Sequence, residues 1–207
     1  MSTIKENLLL VRDFLHTDFR KAVLLCTVGL FLTGLCGYFF GTASPETVET
    51  VINAMMDSIE QSGVIVEDDT ISTFSLLSHN WTAMLLDIVY GLLPFVFLPV
   101  SSLLVNGFIL GITGAMSQLY DQTLSFWLAA ILPHGIFELT ALVLSVACGA
   151  YVCYHVTRRV LARPNCASMT AVFCDVLRVL VFLIAPLTIA AAFIEAYLTP
   201  WIMTLFM

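Results

Sequence analysis

Between its charged segments this chain carries apolar stretches long enough to cross a bilayer, and no water-exposed fold can bury that much of them. Residues 22–40 contain no charged side chain, and further apolar stretches cover about 79–98, 102–120, 126–155 and 171–198. A spanning helix needs about 20 predominantly apolar residues, and inside hydrocarbon the backbone polar groups are satisfied within the helix itself. Composition agrees: 59% of residues are hydrophobic and 11% charged, where a soluble domain carries about 25% charge. The expected fold is all-α, a polytopic bundle of five transmembrane spans forming a single membrane domain over residues 1–207. The first run exceeds the length of a signal-peptide core and follows Glu6, Asp13 and Asp18, so it is expected to remain as an uncleaved span.

Two segments lie outside the spans. In residues 2–20, Ile4, Leu8, Val11, Leu15 and Phe19 recur at helical spacing with charge on the other side, which predicts an amphipathic helix at the membrane interface. Residues 42–78 hold seven acidic residues and no Lys or Arg. There Ser44 and Pro45 open a helix with Val48, Val51, Ile52, Met55 and Ile59 on one stripe, Gly63 ends it, and Glu67, Asp68, Asp69 and Thr70 open a second short helix. The Met55, Met56 and Ile59 patch is expected to pack on the bundle. Pro94 and Pro99 break the chain between the second and third spans, and Pro133 sits inside the fourth.

Charge sets the orientation. With a cytoplasmic N-terminus and five crossings, Lys5, Arg12, Arg20, Lys21, Arg158, Arg159, Arg163 and Arg178 all fall on one side and the acidic loop on the other. That is the positive-inside bias of a multi-pass cell-membrane protein, and it leaves the C-terminus extracytoplasmic.

Polar residues at membrane depth are costly and mark functional sites. They are Asn80, Asp87, Asn106, His134, Glu138 and Glu195. His134 and Glu138 share one helical face, one turn apart, and four of the six are expected to meet in one outward-facing polar core. Counting from the outer ends places Asp87 and His134 at a similar depth. Three roles compete for such a core: glue between helices, a wet path for a substrate, and general acid–base chemistry. Against catalysis, His134 is alone in its part of the helix, with no HExxH, and His79 and His155 are expected at opposite surfaces. Ser145 has no recognisable partner, and no GxxxxGK[ST] is present. Neither a catalytic residue, a metal nor a cofactor is assigned. The six cysteines, Cys26, Cys36, Cys148, Cys153, Cys166 and Cys174, have no zinc or disulfide spacing and read as small hydrophobes. Gly37 with Gly41, and Gly107 with Gly111, give the GxxxG spacing of close helix contact, within the chain or between copies.

The segment PHGIFELTALVLSVACG (133–149) resembles the signature of the stage II sporulation protein M family, a Pro-His-Gly-x-x-Glu-Leu core followed by small residues. His79-Asn80-Trp81, Asn106-Gly107 and FIEAYLTP (193–200) match the family's other landmarks in order and spacing over roughly 70–200. The resemblance implies a multi-span bacterial or archaeal membrane protein acting as a non-enzymatic scaffold or assembly subunit. In sporulating relatives it works with two peptidoglycan-acting partners in engulfment. Relatives outside sporulation imply the alternative of a transporter or permease subunit. The implied partners are the bilayer, other membrane proteins such as peptidoglycan-remodelling proteins or a transporter ATPase, and further copies of the chain, with no nucleic acid. By position the resemblance singles out Asn80, Asn106, Gly107, Pro133, His134, Gly135, Glu138 and Glu195. Asp87 matches no family motif, and its interest rests on depth alone.

Overall fold

A computed structural model describes residues 2–61, 65–66, 70–119 and 122–206. It is a helical membrane bundle. The helices are α1 (Ser2–Leu15), α2 (Phe19–Ala43), α3 (Pro45–Gln61), α4 (Thr73–Tyr90), α5 (Pro99–Leu119) and α6 (Leu124–Val160). A last long helix follows in pieces: α7 (Met169–Val179), a π turn (Leu180–Ile184), α8 (Ala185–Phe193), a second π turn (Ile194–Leu198) and α9 (Thr199–Met203). Among the described residues four helices are long and apolar enough to cross a membrane: α2, α5, α6 and the composite 169–203. The remaining expected span, now α4, does not reach that apolarity by itself. It gains its place by packing lengthwise on α6.

Two parallel pairs organise the bundle. Thr33, Gly37 and Gly41 of α2 face Gly107, Phe108 and Ala115 of α5. The partner numbers rise together, so α2 and α5 run the same way, and the paired GxxxG glycines serve contact within the chain. Along the second pair, Ser145 bonds Asp87, 58 residues away, and Gly91 meets Gly149 at the same separation. A constant offset means α4 and α6 also run parallel, opposite to the first pair. At both contacts backbone meets backbone, which only a missing side chain allows.

The core sits on α6. Every residue of 141–149 is buried, as expected of a helix apolar on all sides and surrounded by others. At about 1.5 Å per residue its 37 residues reach roughly 55 Å, well beyond the hydrocarbon thickness of about 30 Å. Its far end meets α1, the start of α2 and α7. There Phe14 stacks on Phe19 with ring centres 4.5 Å apart, and Tyr151 stands edge-on to both. Arg178 donates to Asn7 at 3.2 Å. Seven of the eight Lys and Arg residues belong to these segments and Arg163 lies in the loop joining α6 to α7, so positive charge gathers at one end of the bundle, called the basic end below.

Local chemistry moves several expected boundaries. The helix expected over 2–20 is interrupted because the Thr17 hydroxyl donates to the Phe14 carbonyl and accepts from the Phe19 amide. Val11 and Phe14 are buried in the bundle, so α1 is packed against protein as well as facing outward. Thr70 does not open a helix: Thr70–Ile71 pairs antiparallel with Ile65–Val66, and α4 starts at Thr73, where the Ser72 side chain accepts from the Ser75 amide. Gly63 and residues 67–69 lie outside the described residues, as do the side chains of Met55, Met56 and Ile59. The second span ends at Tyr90 rather than 98. Beyond it Phe95 and Phe97 take positive φ, and the loop is tied to α6 by Phe95 N–H donating to the Thr157 hydroxyl at 2.9 Å.

Candidate functional site

Toward the end opposite the basic one, α6 and the last helix bring three ionisable side chains together. His134 and Glu138 project from α6 one turn apart, just after Pro133. Proline has no N–H, so it leaves the Ala129 carbonyl without its helical partner. Gly135, buried, follows His134. Glu195 enters from the second π turn. One ligand-type atom from each of His134, Glu138 and Glu195 lies within 4.8 Å of the other two. A π turn inserts an extra residue and shifts the helical phase, and here it turns the last helix so that both Glu195 and Thr199 face α6. His134 Nδ1 lies 3.2 Å from the Thr199 hydroxyl oxygen.

Beside Glu138 is a cavity of about 200 Å³, lined among others by His79, Asn80, Ser102 and Asn106. Asn80 stands 58 residues before Glu138, the offset that sets Asp87 against Ser145, so parallel register alone brings it there. Its Nδ2 is buried and has no hydrogen-bond partner. Asn106 instead donates to the Ser102 carbonyl of its own helix at 2.8 Å. His79 is near the cavity and His155 stands at the basic end between Tyr151 and Tyr154, the separation expected from sequence.

Asp87 stands apart from this group. It is 2% exposed and accepts from the Ser145 hydroxyl at 2.9 Å. Ser145 lies eleven residues beyond His134 along α6, so Asp87 is much nearer the basic end than His134. The similar depth expected for the two fails because α4 begins at Thr73, earlier than the apolar run suggests, and carries Asp87 further in. Ser145, which had no partner in the sequence, has one here. Thr199 and Ser145 are the polar contacts that sequence reasoning missed, and neither had a signal beyond its position in a motif segment.

This arrangement falls inside the region matched by the family model for stage II sporulation protein M, which covers residues 22–200. The chain belongs to the stage II sporulation protein M family. It is also similar to an uncharacterized protein of Methanocaldococcus jannaschii, 34% identical over 134 residues, 63% of this chain and 72% of that relative. No solved structure was found to match it. For this family member, Gly107 is the α5 glycine against which Thr33 packs, while Pro133, His134, Gly135 and Glu138 lie together in the polar part of α6. Glu195 is the acidic residue of FIEAYLTP. PHGIFEL and FIEAYLTP therefore meet at one place, and Asn80 and Asn106 of the other landmarks line the cavity beside Glu138.

Proposed function

We propose that this protein is a non-enzymatic assembly subunit of a cell-membrane complex, with its basic end cytoplasmic and its polar site opening toward the extracytoplasmic side. Its partners in this reading are other membrane proteins, with peptidoglycan-remodelling proteins the class that the family favours. The observation that carries it is the seal below the site. On the basic side of Glu138, residues 141–149 of α6 are all buried, Gly91 and Gly149 bring two backbones into contact, and Asp87, Ser145 and Thr188 spend their polar atoms on neighbouring helices and carbonyls. A polar pocket closed at its inner end suits a fixed structural role better than conduction, which needs a wet path through the bundle.

The second reading, a transporter or permease subunit, is favoured by the two π turns. They are helical irregularities that occur often at functional sites, and they border the segment a gate would have to move. Cys148, fully buried in the seal, separates the two. In a variant retaining only this cysteine, a membrane-impermeant maleimide applied from either side should leave it unlabelled. Crosslinking in native membranes should capture a second protein on the tagged chain, and His134→Ala should lower that capture together with the protein level. Labelling of Cys148 without any captured partner would favour the transporter instead.

A further inference from the structure

We propose that His134, Glu138 and Glu195 bind a divalent transition-metal ion of the zinc class, clamping α6 to the last helix. This goes beyond the assembly role and does not depend on it. Zinc ligands sit about 2.0–2.2 Å from the ion, so tetrahedral partners are roughly 3.3 Å from one another. Three ligand atoms already within 4.8 Å close on an ion by small side-chain rotations. One imidazole and two carboxylates form a borderline-to-hard donor set of the kind that takes zinc, manganese or ferrous iron.

Charge argues the same way. Glu138 and Glu195 come from different helices and meet inside a membrane bundle, while every Lys and Arg is at the basic end. The ion pairs among the described residues are Arg12–Asp13, Lys21–Asp18 and Arg178–Asp175, none of which reaches the site. Two ionised carboxylates held this close repel, and the repulsion is relieved either by a proton on one of them or by a shared cation; a divalent ion balances both. His134 is prepared for the role: Thr199 engages Nδ1, which fixes the ring and leaves Nε2 as the ligand atom.

A second observation points to a ligand independently. Asn80 is 8% exposed and its Nδ2 lacks a partner, although it lines the cavity that reaches Glu138. Three protein ligands leave a coordination position open. An oxygen ligand held by the ion on the cavity side gives that buried donor its acceptor.

The test uses full-length protein in detergent, stripped with chelator, loaded with zinc chloride and desalted. Elemental analysis should find about one zinc per chain. Glu138→Gln and Glu195→Gln, checked for helicity and monodispersity, should each reduce retained zinc by about tenfold or more. Thr199→Val should weaken zinc affinity by roughly tenfold while leaving the saturated stoichiometry unchanged. Cobalt loaded in place of zinc should give visible d–d absorption that His134→Asn abolishes. Retention below about a tenth of an ion per wild-type chain overturns the proposal, and so does full retention in all the ligand variants. If those variants fail to fold, the wild-type stoichiometry and the cobalt spectrum decide alone. None of these readouts involves a partner protein or transport, so their failure is separate from failure of the assembly role.

Discussion

Gly149→Val should destabilise the protein by about 3 kcal/mol or more and prevent α4 from docking on α6. A side chain at Gly149 would run into the Asp87 carbonyl and, at 2.7 Å, into the Pro99 ring. Backbone carbonyls cannot rotate away as a flexible side chain can, and the opposing helix is itself fixed by the Asp87–Ser145 bond. Relief therefore requires moving α4 bodily, which also pulls the buried Asp87 side chain off the Ser145 hydroxyl and costs more than packing alone. Thermal unfolding in detergent checks the effect, with Thr140→Val as a control, since Thr140 is exposed and bonded only to its own helix at Ile136. A melting temperature for Gly149→Val within a degree or two of wild type would contradict the close parallel packing described above.

Gly111→Leu should have the second largest effect, about 2–3 kcal/mol, but of a different kind. A side chain there meets the Gly34 carbonyl and the Tyr38 amide of α2. α2 turns Leu24, Leu25, Phe31, Leu32 and Phe39 away from the protein, so it can shift outward without breaking the centre of the bundle. The Tyr38 hydroxyl, which donates to Gln118 at 2.7 Å, should lose its partner, while His134, Glu138 and Glu195 stay together. Cysteines placed at both positions, Tyr38→Cys and Gln118→Cys, lie too far apart for a direct disulfide. A short bifunctional thiol reagent should join them in an otherwise wild-type chain and fail to do so with Gly111→Leu. Undiminished crosslinking would mean that α2 does not rest on α5 through these glycines.

Much of the architecture was legible because lipid imposes so simple a rule. Long apolar runs marked the helices, and the distribution of Lys and Arg anticipated the basic end. His134 and Glu138 were legible as a pair because helical periodicity fixes neighbours four residues apart. Glu195 was visible as an isolated acid, but its approach to the pair depends on a π turn, and nothing in FIEAYLTP announces that change of phase. Asn80 reaches the site through the parallel register of α4 and α6, a tertiary property set by Gly91 and Gly149. The beginning of α4 is hidden in the sequence for a more local reason. Ser72 caps it within a polar segment that hydropathy assigns to the loop, so hydropathy alone sets Asp87 too near the helix start.

The limited apolarity of α4 has a consequence for biogenesis. With Ser75, Ser78, His79, Asn80 and Asp87 along its length, it is a poor substrate for partitioning from the translocon into lipid one helix at a time. Asp87 finds its partner, Ser145, on α6, which the ribosome makes only after α5. Membrane insertion of this segment must then wait for, or be completed by, a later part of the chain. A nascent chain truncated after α5 should leave residues 73–90 open to a water-soluble probe, and extension through α6 should protect them.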